Sequence, residues 1–417
     1  MNKLKFSKFH LFLILIIFMP MHTLLFSYML GNIKILSLWR DFIILYLFLV
    51  SFRRKLKRNV INIYILFSAF IIVIYAFMAL GITSFNIART YVMPLLIYFY
   101  TSSEVFDDYK LRIIFKTCLI TTTLIAAWGL FQAYVLGPQI LYDLGYSNSY
   151  GRFSSSSFYI AGWNQQRVVG TFSSPNGCGA YFAVMLVFLT SMKKYAEKYL
   201  KIYWFCLACI FLGLIATFSR SAWLGCFFGI LLFNKHSISI KKRNAKILIA
   251  TLIIIIPLLG VFYSSNSMVA TVFDMMANHI TRTVSKEDAS FLYHLIELYK
   301  PLNMALLHPL GLGFGTNGSF ALAYLDLEKT HQVESSIWLM AYEVGILGMI
   351  VYYIPYLASI VRYCSKRYNN IIRNSAKVTI CILVIFCVLP SVQSYEQPFF
   401  AMMFAGIAES QCRWKNI

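Results

Sequence analysis

The hydrophobic and polar positions of this chain fall into long apolar runs separated by short charged clusters. Most runs have about the length that an α-helix needs to cross roughly 30 Å of hydrocarbon. Because a helix satisfies its own backbone hydrogen bonds inside a bilayer, the pattern predicts one polytopic all-α membrane domain over residues 1–417. With the basic clusters on one side, it predicts about twelve transmembrane helices, at residues 9–30, 36–52, 60–80, 88–102, 113–136, 175–192, 202–218, 222–234, 247–263, 335–360, 376–394 and 398–410.

The composition supports an integral membrane protein. The chain is 59% hydrophobic and only 13% charged, whereas soluble domains carry roughly 25% charged residues. The first apolar run follows Lys3, Lys5 and Lys8, but it is too long for a signal peptide and lacks a small-residue cleavage site, so we expect a retained first span. The nine cysteines are scattered singly, without the paired spacing of a zinc site, and are predicted to be packing residues.

The distribution of the net charge of +21 excludes nucleic acid as a partner. Basic residues cluster at residues 53–58, 193–201, 235–246 and 362–377, between the apolar runs. The positive-inside rule places these clusters and both termini in the cytoplasm. The basic residues that this topology leaves outside are Lys34, Arg40, Arg89, Arg152, Arg167, Arg220, Arg282, Lys286, Lys300 and Lys329.

Two long segments lie outside in this topology, and function concentrates on such loops. The first, residues 137–174, mixes Tyr, Trp, Asn, Gln and Ser, which suit the hydroxyls and C–H faces of a glycan or simply form an exposed polar loop. The second, residues 264–334, combines helical apolar spacing with a glycine-rich turn at residues 310–318 and is predicted to be a partly helical lid on the membrane. No strand precedes this turn and no Rossmann helix follows it, which disfavours a nucleotide-binding loop.

Four short motifs stand at the outer side in chain order. They are RVVGTFSSPNG at 167–177, FSRSA at 218–222, HPLGLGFG at 308–315 and ESSIWLMAYEVGILG at 334–348. Together they resemble the O-antigen ligase and polymerase superfamily, which shows RxxGTFxxPN, SR, PLxGxG and ExGxxG motifs in this order. The resemblance covers roughly residues 167–350. It implies a GT-C-like membrane glycosyltransferase of the bacterial inner membrane, with its active site on the periplasmic side.

The resemblance also implies the reaction. A glycan moves from a polyprenyl pyrophosphate to an acceptor hydroxyl, with inversion at the anomeric carbon and without a metal or another cofactor. The acceptor hydroxyl then needs a base, and the departing pyrophosphate needs fixed positive charge. Arg167 and Arg220 match the arginine positions of the family and are predicted to bind the pyrophosphate, since a guanidinium binds phosphate bidentately. The alternative is that each arginine only extends to the lipid headgroups.

The base is predicted from a departure from the family pattern. Ligases usually carry His-Asn eleven residues before the glycine of ExG, and here Glu334 and Ser335 stand at these positions. His331 lies three residues earlier, on the same face of a continuous helix. Glu334 or His331 is therefore the candidate base, while an ordinary helix cap remains the alternative for Glu334.

Further departures and contacts complete the predicted site. The family's arginine before the PLxGxG motif is His294 here, so Arg282 is a candidate to supply the missing phosphate contact. His294, Asn176 and Trp163 are candidate acceptor or loop contacts. The acidic pair Asp326 and Glu328 is interpreted as a solvated loop rather than as a metal site.

The sequence favours an O-antigen polymerase that joins polyprenyl-pyrophosphate-linked oligosaccharides, because acidic residues ahead of SS resemble the polymerase branch. An O-antigen ligase that uses lipid A core as its acceptor is the first alternative. A transporter of lipid-linked oligosaccharides ranks third. A flippase should carry charges deep within its spans and no large outer loop, whereas the arginines here cluster at the predicted outer ends of spans and one outer loop covers residues 264–334. Membrane lipids and a chain-length regulator protein are the further candidate partners.

Overall fold

The computed structural model describes residues 7–29, 36–52, 60–78, 82–146, 158–160, 165–231, 305–316, 335–363, 370–388 and 396–414. Within these ranges the regular elements are all helical, and the β-structure consists of one isolated antiparallel bridge between Tyr159 and Gln166. The predicted all-α class is confirmed.

Helices account for most of the described chain. The α-helices are α1 Lys8–Phe18, α2 Trp39–Phe52, α3 Val60–Met78, α4 Ile82–Ser103, α5 Asp108–Phe131, α6 Gln139–Asp143, α7 Pro175–Ser191, α8 Leu200–Ala216, α9 Arg220–Leu231, α10 Ser336–Tyr363, α11 Asn370–Val388 and α12 Glu396–Trp414. Short 3₁₀ helices occupy Met19–Met21, Leu36–Leu38 and Lys193–Tyr199, and π-helical turns occupy Thr23–Met29 and Gln132–Leu136.

Several helices suit a membrane. By length and composition, three of those described could cross a bilayer, at Asp108–Leu136, Lys193–Ala216 and Ser336–Val361. Shorter apolar helices lie at Lys8–Met21, Asn62–Phe77, Pro175–Ser191 and Ser375–Cys387. The described helices overlap eleven of the twelve predicted spans, and the remaining one, residues 247–263, lies outside the described residues.

Helix α7 forms the centre of the bundle. Every residue from 178 to 189 is buried, and the helix packs against α5, α8, α9, α11 and α12. A helix that is apolar on all sides is buried on all sides. Helix α3 differs, because it leaves Ile63, Phe67 and Phe70 exposed on one face, as expected of a helix at the lipid boundary.

Small residues allow the helices to approach closely. A Cβ atom at Gly406 of α12 would collide with the Thr101 hydroxyl of α4 and lie 2.7 Å from the Tyr98 carbonyl oxygen. A Cβ atom at Gly225 of α9 would lie 2.9 Å from the Cys381 carbonyl oxygen of α11. Such contacts add van der Waals packing where the hydrophobic effect contributes little between helices.

Two ion pairs between helices lie inside the bundle. The Arg40 guanidinium of α2 lies 3.6 Å from the Glu396 carboxylate of α12, and the Arg89 guanidinium of α4 lies 3.1 Å from the Asp41 carboxylate. Arg40, Asp41 and Glu396 are buried. Buried charges inside a membrane protein are costly unless they are paired, so these contacts tie α2 to α4 and α12.

Candidate active site at the paired arginines

Arg167 joins three segments through its guanidinium. Its Nε donates to the Thr217 carbonyl oxygen at 2.7 Å, and its Nη2 donates to the Asn176 Oδ1 at 2.8 Å and the Phe218 carbonyl oxygen at 3.3 Å. The last carbonyls of a helix have no partner inside the helix. Arg167 therefore caps the carboxyl end of α8 and, through Asn176, holds the first turn of α7.

The FSRSA motif forms a tight turn between α8 and α9. Phe218 has a φ of 50°, the left-handed region that costs a non-glycine residue about 1–3 kcal/mol. Its ring packs against Trp223 and Ile160, and its carbonyl accepts from Arg167. These contacts hold the turn, after which Arg220 is the first residue of α9.

The first turn of α7 brings a second helix N-terminus to the site. Ser174 caps the helix by accepting from the Gly177 N–H at 3.1 Å, and Pro175 fills the first helical position, where the missing N–H is not needed. The next residue, Asn176, accepts from Arg167. From α12, the Gln397 side-chain amide donates to the Gly177 carbonyl oxygen at 2.8 Å.

The RVVGTF motif is also fastened to distant helices. The Gly170 N–H donates to the Gln132 Oε1 at 3.1 Å, and the Thr171 hydroxyl donates to the Pro20 carbonyl oxygen at 2.6 Å. Gly170 has a φ of 62°, which glycine adopts without a steric penalty. The motif thus connects the π-helical turn that follows α5 to the break after α1, where the first predicted span changes from α-helix to 3₁₀ helix and then to π-helix.

The electrostatics of this site favour an anion. Burial, and secondly the Arg220 charge, lower the pKa of Arg167 to about 10. The lowered pKa is still well above neutral pH, so the guanidinium stays positive. Both arginines are half-buried. Arg220 is the first residue of α9, and Arg167 contacts the Asn176 side chain in the first turn of α7. Helix N-termini favour negative charge through the helix dipole and their free N–H groups.

The glycine-rich motif occupies a break in α10. Gly345 has φ 78° and ψ 169°, which interrupts the helix, whereas the sequence predicts one continuous span over residues 335–360. The Leu312 N–H donates to the Tyr342 carbonyl oxygen and the Gly313 N–H to the Glu343 carbonyl oxygen, both at 2.9 Å. Loop donors therefore replace the i+4 donors that the break removes.

The loop and the break fit each other because both contain glycine. A Cβ atom at Gly311 would lie 2.5 Å from both the Glu343 carbonyl oxygen and the Gly345 nitrogen. The buried Glu343 carboxylate accepts from the Gly315 N–H at 2.8 Å through Oε1. Helix α4 closes the other side, where the Ser84 hydroxyl donates to the Phe314 carbonyl oxygen at 2.8 Å. The HPLGLGFG and ExG motifs are thus one structural unit.

The start of α10 shows which residue caps it. The Ser335 Oγ accepts from the Trp338 N–H at 3.4 Å, and the Ser335 hydroxyl donates to the Phe386 carbonyl oxygen of α11 at 3.2 Å. The first of these contacts is the geometry of an N-cap. The cap is therefore Ser335, the residue that follows Glu334 in the chain.

The structure brings part of the predicted site together. Arg167 and Asn176 are in contact, and Arg220 is close enough for its charge to lower the pKa of Arg167. The other predicted site residues lie outside the described residues, namely Glu334, His331, Arg282, His294 and Trp163. Sequence reasoning missed the contacts of Glu343 and Gln397. The ExG motif was a signal for the first, whereas no motif marked the second.

An all-α bundle of apolar helices defines a polytopic membrane protein. Among its described motifs, the cationic site is the one where Arg167 contacts the first turn of α7 and Arg220 begins α9. The family model described as O-antigen ligase matches residues 205–353. This match confirms the resemblance to the O-antigen ligase and polymerase superfamily, whose members are glycosyltransferase-like enzymes of lipopolysaccharide assembly. It includes Arg220, the glycine-rich loop and the break in α10, while Arg167 precedes it. No curated protein matches the chain.

Proposed function

We propose that this protein is an O-antigen polymerase, which transfers a polyprenyl-pyrophosphate-linked glycan to a sugar hydroxyl of another lipid-linked repeat unit. The observation that carries the proposal is the Arg167–Asn176 contact beside Arg220, at the first turns of α7 and α9. Two fixed cations, one held by the end of α8 and Asn176 and one at the start of α9, stabilise the charge that develops on a departing pyrophosphate without reorganising in the transition state.

The proposed reaction is a single displacement. The acceptor O–H loses its proton to Glu334 or His331, and the oxygen attacks the anomeric carbon. The bond between this carbon and the pyrophosphate oxygen breaks, the configuration inverts, and polyprenyl pyrophosphate leaves with the bonding electron pair. Arg167 and Arg220, together with Arg282, bind the pyrophosphate. This step needs neither a metal nor a nucleotide sugar.

Glu334 is the first candidate for the base. Ser335 already caps α10, so a separate cap at Glu334 is not needed to satisfy the first N–H groups of the helix. This supports a chemical role for the carboxylate, which His331, three residues earlier in the chain, would orient or protonate. Trp163 and His294 complete the proposed acceptor contacts.

The proposed setting is the bacterial inner membrane, with both termini cytoplasmic and the site periplasmic. An O-antigen ligase would use the same arginines and a lipid A core acceptor, and it is the alternative. The serine after Glu334, where ligases usually have asparagine, favours the polymerase. A chain-length regulator is a proposed partner.

Deleting the gene in its native host tests the proposal. We expect lipopolysaccharide whose core carries a single repeat unit, and we expect the wild-type gene to restore the ladder of longer chains. Bare core with accumulating lipid-linked polymer would instead identify a ligase. Unchanged ladders in the deletion strain would exclude both activities.

The Glu334→Gln variant tests the base in the same strain. We expect at least about 100-fold less polymer at a normal protein level, since general base catalysis contributes about 10²–10⁴-fold. The matched control is Glu197→Gln, which changes an exposed glutamate of the 3₁₀ helix Lys193–Tyr199 and should restore the full ladder. A full ladder from Glu334→Gln would rule out this carboxylate as the base.

A further inference from the structure

The break at Gly345 divides α10 into two parts. The hydrogen bonds that would hold residues 336–344 in line with the rest of the helix are interrupted there, because the Tyr342 and Glu343 carbonyls accept from Leu312 and Gly313. The direction of the first part is therefore not set by the second. It is set by the loop at one end and, at the other, by the Ser335 contact with α11.

The Glu343 side chain connects α10 to the glycine-rich loop. Its Oε1 accepts from the Gly315 N–H at 2.8 Å, and the residue is 0% exposed. Among the described residues, its Oε2 has no hydrogen-bond partner. Burying a carboxylate with one oxygen unsatisfied is costly, and the hydrogen bond from the Gly315 N–H to Oε1 offsets part of this cost.

We propose that Glu343 is a positioning residue for glycan transfer: its hydrogen bond to Gly315 fixes the angle between the two parts of α10. This inference rests on the proposed function, because the first part of α10 begins shortly after Glu334. A displacement of about 1 Å at a reacting group costs about 100-fold in rate. Fixing the angle of this part therefore fixes the point from which the base reaches the acceptor.

Two substitutions separate geometry from charge. Glu343→Gln keeps the length and the acceptor oxygen but removes the charge. Glu343→Asp keeps the charge but withdraws the oxygens by one methylene, out of reach of the Gly315 N–H. The positioning role predicts that the Gln variant keeps kcat within about 3-fold, while the Asp variant loses about 100-fold in kcat with an unchanged KM for the donor.

The experiment uses the purified full-length protein in detergent. The donor and acceptor are the polyprenyl-pyrophosphate-linked repeat unit extracted from the deletion strain. Amide hydrogen exchange of the peptide that contains residues 308–316 is measured in parallel, since a lost hydrogen bond exposes the Gly315 amide. We expect about 10-fold faster exchange in Glu343→Asp and wild-type exchange in Glu343→Gln.

The opposite pattern would overturn the inference. An active Asp variant with an inactive but folded Gln variant means that the charge itself is needed. Wild-type kcat in an Asp variant with faster exchange means that the angle does not matter. If Glu343→Asp does not fold, loss of kcat in folded Glu343→Gln still decides against positioning.

Different variants test the base role of Glu334 and the positioning role of Glu343. Full transfer by Glu334→Gln, combined with an active Glu343→Gln variant and an impaired Glu343→Asp variant, removes the proposed base and retains the positioning role. Loss of transfer in Glu334→Gln with normal kcat in both Glu343 variants retains the base and removes the positioning role.

Discussion

Replacing Arg167 by alanine is expected to lower glycan transfer by about 10³-fold, which corresponds to about 4 kcal/mol of transition-state stabilisation. The substitution removes a fixed cation from the proposed pyrophosphate site. It also removes the contacts to Thr217 and Asn176 that hold α8 and α7 together. The measurement is the rate of transfer in vitro, with the polymer ladder of the complemented deletion strain as the readout in cells.

Arg167→Lys separates charge from geometry at this position. Lysine keeps the charge, but its single ammonium cannot reproduce the planar fork that contacts Thr217 and Asn176 together. We expect about 100-fold slower transfer.

The matched control for both substitutions is Arg112→Ala. Arg112 is a partly exposed arginine of α5 that contacts Asp108 on its own helix. It lies 17 residues before Gly129, which packs against the RVVGTF motif, or about 25 Å along the helix. This control should transfer at the wild-type rate. Wild-type transfer by Arg167→Ala would exclude the pyrophosphate role.

Replacing Gly345 by alanine is expected to have the largest effect on stability, about 4 kcal/mol or more. The backbone at φ 78° and ψ 169° lies in a region that is essentially restricted to glycine. An added Cβ atom would also collide with the Pro309 carbonyl oxygen and lie 2.7 Å from the Leu310 carbonyl carbon. Since the helix break and the loop fit each other, neither can move without breaking the junction. We expect little monodisperse protein after extraction in detergent.

Gly137→Ala is the control that isolates the backbone effect. Gly137 has φ 73° and ψ −171°, almost the same conformation, but a Cβ atom there would meet nothing within 4 Å. We expect a loss of about 1–3 kcal/mol, seen as a moderate fall in Tm with normal extraction. Equal losses in the two variants would show that the contact with the loop contributes nothing.

The candidate site is predictable in part. The motifs identify Arg167, Asn176 and Arg220, because these residues stand in short stretches whose order and spacing resemble a family. They do not indicate that Arg167 caps α8. Thr217 lies 50 residues away, and the contact is with its backbone carbonyl, a group that every residue carries. For the same reason the sequence does not predict the buried pairing of Arg40 with Glu396, and it assigns Arg40 only to the outer side.

The sequence by itself determined the all-α class and the approximate positions of the helices. Apolar runs specify helices locally, because each helix satisfies its backbone within one segment. Only the tertiary structure decided that the glycine-rich motif enters the break in α10, where Gly315 meets Glu343 across 28 residues. Complementary backbone shapes and hydrogen bonds between distant segments depend on how the helices pack. The amino-acid sequence contains both residues of such a contact, but it does not indicate that the two residues meet.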